Sequence, residues 1–475
     1  MGADVGATMG AIVGPVVETM ALSSPIAAAA PRRWLAIVGI GEDGVDGLSP
    51  VARALVADAA VVFGGRRHLA LAAPLIRGDA RAWLTPFEDG VADVLAQRAG
   101  GARGNVGNIG NINVCVLASG DPYFHGVGAV LARHVDPAET IVLPAPSAFS
   151  LAAARLGWAL QDCALVSLHG RALDRIRPHL QPGARVLALT SDGEGPAALA
   201  RLLAATGFGG SRLTVLEALG GPRERIRAAH ADAFDLGAVD ALNTVAIEVI
   251  AAPGARVIAR AAGLADDLFE HDGQITKREV RAITLSALAP RRGELLWDIG
   301  AGAGSVAIEW MLADISLRAV AIEARADRAA RIARNAAAFG VPGLEVVHGE
   351  APEAFSSVIA RESGRSRPQT PGSTGCPAFA GHDGTEFGNP DAVFIGGGAS
   401  NPVLDAALAA LRPGGRLVVN AVTLATEALL IARHARHGGT LIRIAIERAE
   451  PVGRLTAWRP ALPVTQWTWA KAENT

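Results

Sequence analysis

Leu295-Leu296-Trp297-Asp298-Ile299-Gly300-Ala301-Gly302-Ala303-Gly304-Ser305-Val306-Ala307-Ile308-Glu309 decides how the carboxyl half of this chain folds. Apolar residues lead into an acid, glycines follow on alternate positions, and an apolar run without a breaker comes next. That order reads as strand, tight turn and helix. Such a turn lets backbone approach a ligand, and the helix start offers unpaired N–H groups.

The ligand class follows from spacing and charge. A dinucleotide fingerprint places two residues before its third glycine, whereas Gly304 comes one residue early. A carboxylate at the strand tip, Asp298, would repel a pyrophosphate and suit a ligand carrying an amine and a sulfonium. S-adenosylmethionine is such a ligand. A second apolar strand, Arg318 to Ile322, ends in Glu323, placed to accept hydrogen bonds from two ribose hydroxyls. The structural alternative is that Asp298 caps the next helix and Glu323 is a solvated acid.

At 475 residues, two to three domains are expected. Forty-four basic against 46 acidic residues give a net charge of −2, so no overall field draws the chain to nucleic acid or an anionic membrane. Cys115, Cys163 and Cys376 lack paired metal-ligand spacing, which argues against a zinc site and for a reducing compartment. No long apolar run predicts a membrane span, and residues 1–32 read as a disordered extension without a basic leader. A cytoplasmic location is expected.

A second strand, Trp34 to Val38, runs into the glycine turn Gly39-Ile40-Gly41-Glu42-Asp43-Gly44, and Ser49-Pro50 opens a helix. The strand Val114 to Ala118 delivers Ser119-Gly120-Asp121-Pro122. The strand Thr140 to Leu143 delivers a turn ending Pro146-Ser147-Ala148. From about Leu160, strands at 164–168, 185–190, 213–216 and 244–250 suggest a second lobe. The expected division is 33–255, with lobes at about 33–155 and 160–255, a linker at 256–267, and 268–475. Gly100 to Asn113 and about 361–389 read as loop insertions.

The turn at Gly39 to Gly44, the Ser-Gly-Asp-Pro loop and the Pro-Ser-Ala turn together resemble the tetrapyrrole methylase family. Gly65-Arg66-Arg67-His68-Leu69 and Gly220-Gly221-Pro222-Arg223-Glu224 are similar to its subgroup acting late in corrin assembly. From His271-Asp272-Gly273-Gln274-Ile275-Thr276-Lys277 onward the chain looks like a decarboxylating corrin methyltransferase. The resemblance implies an α/β architecture: a two-lobed tetrapyrrole methylase fold followed by a Rossmann-like class I methyltransferase domain. It also implies methylation at two ring carbons, with decarboxylation of the ring C acetate, in cobalamin biosynthesis.

One S-adenosylmethionine per domain is the expected cofactor. Its contacts would come from Gly39, Gly41, Asp43, Ser119, Gly120, Asp121, Ser147 and Ala148 in the amino half. In the carboxyl half they would come from Thr276, Asp298, Gly300, Gly302, Gly304, Glu323, Gly349 and Glu350. Arg66, Arg67 and His68 are expected to bind substrate carboxylates. Asn420, Gly397 and Lys277 are the catalytic candidates, although Lys277 reads equally as a solvated helix start. His125 and His169 are left open. The partner would be a small-molecule tetrapyrrole, with neither nucleic acid nor membrane, and the chain a homo-oligomer.

Two other readings have their own discriminators. A nucleic-acid methylase would place an aromatic clamp where this chain has Gly396-Gly397-Gly398. A non-catalytic cofactor-binding scaffold would incorporate no methyl group. A cobalt-bearing intermediate is an alternative substrate for the same chemistry. Cys376, His382 and Asp383 read as plain loop.

Overall fold

The structure, a computed structural model, describes residues 33–99, 112–360 and 388–473. The 1–32 extension, most of the Gly100–Asn113 run and most of the 361–389 insertion, with Cys376, His382 and Asp383, lie outside the described residues.

The first sheet is wholly parallel. Its strands run in the order Asp79–Ala82, Val61–Gly64, Val114–Ser119, Leu35–Ile40 and Thr140–Leu143. Leu35–Ile40 is buried along its whole length because both faces are covered, and such strands read as continuous apolar runs. The helix Pro50–Asp58 begins as its sequence predicts, with the Ser49 hydroxyl accepting from the Ala52 N–H and proline in the first turn. The sheet's edge strand, Asp79–Ala82, mostly exposed, carries no apolar signal and went unforeseen.

The second sheet is mixed, in the order Cys163–Ser167, Arg185–Leu189, Asn243–Glu248, Arg212–Glu217 and Arg225–His230. Only its first pair is parallel. Arg225, directly after the Gly220 to Glu224 stretch, opens an edge strand whose side chains are mostly exposed. Glu217, almost fully buried, anchors that strand by pairing with Arg225 and Arg227.

The third sheet has seven strands: Glu345–His348, Arg318–Glu323, Leu295–Ile299, Ala392–Ile395, Arg416–Ala421, Val464–Ala470 and Thr440–Ile444. The first five are parallel, Val464–Ala470 runs antiparallel between its two neighbours, and Thr440–Ile444 therefore shares the direction of the first five. The order reverses direction beside Leu295–Ile299, and open α/β sheets bind ligands beyond the carboxyl ends of the strands at such a point. A two-stranded hairpin, Glu447–Val452 with Leu455–Pro460, projects between the last two strands.

The segment from 256 to 267, expected to be a linker, is folded onto the third sheet. Ile258 and Leu264 are buried with Leu285, Leu288 and Trp310 in one core. The fully buried Arg281 guanidinium meets Glu309 at 2.5 Å and Asp266 at 3.1 Å. Glu309 in turn accepts from the Gly263 and Leu264 N–H groups at 2.7 and 2.9 Å. Arg256 lies over the Phe339 ring, and Gly340 sits against Pro178 and Asp174 of the second lobe with no room for a side chain. The halves therefore share a packed contact. Among the described residues no helix is long and apolar enough to cross a membrane.

Candidate active sites

The larger cavity, about 750 Å³, opens at the carboxyl ends of the third sheet's central strands. Ligand sites usually span ~300–1,000 Å³. Gly300 and Gly302 form one wall. Gly300 has φ +67, and a Cβ there would stand 2.6 Å from the Gly397 oxygen, so the two glycine loops need to be bare to approach each other. A Cβ on Gly397 itself would meet nothing within 4 Å, because that position faces the open cavity.

Glu323 ends its strand where the sequence places it, lining the cavity and buried to 5 % exposure. Its carboxylate accepts from the Gly302 N–H at 2.8 Å and the Arg325 N–H at 3.0 Å. Each oxygen keeps acceptor capacity for a ligand hydroxyl. Thr276, Lys277, Gly349, Glu350 and Asn420 line the same cavity. Lys277 occupies the position just before the helix Arg278–Leu288 without a capping side-chain hydrogen bond, and its Nζ stands 3.9 Å from Asp266. Asn420 belongs to a buried amide–hydroxyl triad: its Nδ2 donates to Thr284 at 3.0 Å, and Gln466 donates to its Oδ1 at 2.9 Å.

Two positions depart from expectation. Asp298 does not face the cavity. It is fully buried behind the glycine turn, where its Oδ2 accepts from the Ala307 N–H at 3.1 Å and its Oδ1 has no partner. The carboxylate thus caps the helix Ser305–Ala313, as the structural alternative held. Burial, with repulsion from Glu323 adding to it, pushes its carboxyl up to about 7. Gly304 is likewise turned away: at φ +75 it allows close packing on Ile332, whose side chain a Cβ would meet at 2.7 Å.

Sequence reading missed much of the opposite wall. Ile444, Ile446, Ala461 and Val464 come from strands and connections near the carboxyl end, and Arg328 and Arg448 bring positive charge. Arg328 bonds Asp272 at 2.8 Å, fixing the loop that carries Thr276 and holding the Asp272 carboxyl well below its usual range. Arg448 pairs with Glu279.

A smaller cavity, about 120 Å³, lies between the two amino-terminal lobes. The first lobe supplies Gly41, Glu42, Arg67, Ser119, Gly120, Ser147 and Ala148. The second supplies Leu189, Leu216, Asn243 and Thr244. Gly39 does not line it: a side chain there would collide with the Gly120 carbonyl, so this glycine serves a backbone crossing. Asp121 is used locally, accepting from the Tyr123 N–H at 2.8 Å.

The acid facing this cavity is Glu42, not Asp43. Asp43 is exposed and folds back between Gly41 and Gly47, whereas Glu42 lines the cavity, pairs with Arg67 and reaches Arg223 of the second lobe at 3.3 Å. Asp43 therefore cannot select the ligand's charge by contact. Nor do Arg66, Arg67 and His68, expected to bind substrate carboxylates together, converge on this cavity. They open the helix Arg66–Ala72, where Arg66 points to solvent, Arg67 reaches the cavity and His68 is buried. Burial, reinforced by the Arg67 charge, pushes the His68 imidazole down to about 3, so it is not a cation for substrate carboxylates. Phe124 and His125, the latter left open by the sequence, also line the cavity.

Comparison with known proteins matches this two-part arrangement. The family described as "Precorrin methyltransferase domain" matches residues 267–363 and 377–471, and "Tetrapyrrole (Corrin/Porphyrin) Methylases" matches 35–235. A Sinorhizobium protein named precorrin-6Y C(5,15)-methyltransferase [decarboxylating] is 57% identical over 439 residues, covering 92% of this chain and 96% of its own. A Mycobacterium tuberculosis protein of the same name is 38% identical over 441 residues, covering 92% and 99%. A Salmonella typhimurium protein named cobalt-precorrin-7 C(5)-methyltransferase is 30% identical over 217 residues, covering 44% of this chain and 98% of its own. With both domains present in one chain and near-complete coverage of the longer relatives, this chain belongs to the precorrin-6Y C(5,15)-methyltransferase (decarboxylating) family.

Proposed function

We propose that the chain is a fused double methyltransferase that methylates carbons 5 and 15 of a precorrin-6Y-type ring and removes carbon dioxide from the ring C acetate. The carboxyl half would decarboxylate and methylate carbon 15 and the amino half would methylate carbon 5, an allocation resting on resemblance. The observation that carries the reading is the cavity in which the glycine turn and Glu323 face the triglycine loop.

S-adenosylmethionine, one per half, supplies an electrophilic methyl group on a sulfonium. In the carboxyl half the fit is direct. Gly300 and Gly302 offer bare backbone, Glu323 offers free acceptor capacity for ribose hydroxyls, and Gly349 and Glu350 close the side. Asp298 contributes from behind the turn, through charge and the orientation of the helix start.

The open space at Gly397 admits a flat ring edge, while Lys277, Arg328 and Arg448 offer cations to its carboxylates. The ring's enamine-like carbon is itself the nucleophile, so the residues' task is to hold two reactants in line. The electron pair left by carbon dioxide passes into the conjugated ring. Asn420, held by Thr284 and Gln466, is placed to orient the acetate.

In the amino half the cavity is smaller than a whole donor needs. Admission there requires the lobes to part at the Glu42–Arg223 bridge. Gly41, Ser119, Gly120, Ser147 and Ala148 would then contact the donor, and Arg67 a substrate carboxylate. A homo-oligomeric, cytoplasmic enzyme is part of this reading. The test is mass analysis of the product from purified protein, precorrin-6Y and labelled donor. Two labelled methyl groups with loss of one carbon dioxide are expected. A single methyl group, or none, would refute it, and turnover only with a cobalt-bearing ring would move the substrate to the metallated series.

A further inference from the structure

Behind the inter-lobe cavity, His68, Arg67 and Ser119 form a closed triangle. The Arg67 Nη2 lies 2.8 Å from the Ser119 Oγ, the Ser119 Oγ 2.7 Å from the His68 Nε2, and the His68 Nε2 3.1 Å from the Arg67 Nη2. A guanidinium only donates, so the Ser119 oxygen accepts from Arg67. If Nε2 carried a proton it would confront the Arg67 N–H as well as the hydroxyl. Nε2 is therefore bare, and the Ser119 hydroxyl donates to it.

The imidazole proton then lies on Nδ1, which is buried without a partner. Leaving a buried donor unmet is costly, and a histidine that merely fills a core has no reason to accept that cost. With one lone pair given to Arg67 and its proton given to His68, the Ser119 Oγ retains a single acceptor direction. Ser119 lines the cavity, and His68 does not.

We propose that His68 is a positioning residue for the amino-half methyl transfer: by taking the Ser119 hydroxyl proton at Nε2, it fixes Ser119 as an acceptor for a cationic, hydrogen-bond-donating group of the methyl donor. This rests on the reading that the amino half binds a sulfonium donor. The neutral imidazole enforced by burial keeps that polarity constant, and Arg67, shared between Glu42 and Ser119, sets the angle.

The test uses the full chain, with carbon-5 and carbon-15 methylation read separately by product fragmentation. His68→Met should raise the donor KM for carbon 5 about tenfold with kcat changed far less, leaving the carbon-15 step untouched. His68→Gln, whose amide oxygen can still accept, should recover most of that loss. Ser119→Ala should reproduce the Met effect, and the double variant should be no worse than Ser119→Ala alone. If His68→Met disrupts the fold, the Gln and Ser119→Ala variants carry the test unaided. Unchanged donor KM in Ser119→Ala, no advantage of Gln over Met, or additive losses would overturn the proposal. A wild-type chain that never methylates carbon 5 would instead overturn the functional reading.

Discussion

Asp298→Asn gives the most direct view of the electrostatics behind the glycine turn. In the folded chain this carboxyl titrates near 7 instead of its ordinary 3.8, chiefly because it is desolvated, with Glu323 adding repulsion against the relief of one backbone hydrogen bond. The folded state therefore binds the proton more tightly than the unfolded state. Its stabilising effect is complete below about pH 3.8 and is lost as pH rises through about 7. At ~1.4 kcal/mol per pH unit, the loss over that whole interval is about 4 kcal/mol at most, of which roughly 2–3 kcal/mol falls between pH 5 and 8.5.

An asparagine oxygen can still accept from the Ala307 N–H while carrying no charge. The stability of Asp298→Asn relative to wild type should therefore grow by roughly 2–3 kcal/mol between pH 5 and pH 8.5. Urea unfolding followed by tryptophan fluorescence reads this, since Trp297, Trp310 and Trp467 are fully buried in the same half. A cationic donor favours the ionised acid, so wild-type donor affinity should rise from pH 6 to 8 and that dependence should vanish in the variant. A stability difference that stays constant with pH would refute the reasoning.

Three further outcomes follow from single contacts. Gly397→Val should fold normally, having open space, yet lose carbon-15 methylation while carbon-5 methylation persists; product fragmentation checks this. Arg281→Ala strands the buried Glu309 carboxylate without its guanidinium and should destabilise the carboxyl half by about 3–5 kcal/mol, measured by denaturant unfolding. Arg223→Ala removes one bond bridging the lobes at Glu42 and should speed donor association with the amino half without affecting the other half, seen by stopped-flow mixing.

The parallel strands were legible because burial on both faces writes them as apolar runs, and the glycine turns because backbone contacts such as Gly300 on Gly397 exclude side chains. Glu323 was legible for a related reason: an acid that ends a buried strand has to face something. Orientation was not legible. Glu42 and Asp43 are neighbours in one turn, and only the fold decides which carboxylate meets the cleft. Asp298 sits at a strand tip whose next atoms are either ligand or helix start, and spacing does not separate the two. His68 looked cationic beside two arginines, yet the helix that begins at Arg66 sends the three side chains in different directions. The wall built from Ile444, Ile446 and Val464 depends on a terminal antiparallel strand inserted between distant neighbours, which no local pattern announces.

The central claim is that each half holds its own methyl donor, and calorimetric titration of the full chain with S-adenosylmethionine tests it most directly. Two donor equivalents per chain are predicted, one of them abolished by Glu323→Ala. Saturation at one equivalent, or both sites surviving that substitution, would contradict the account.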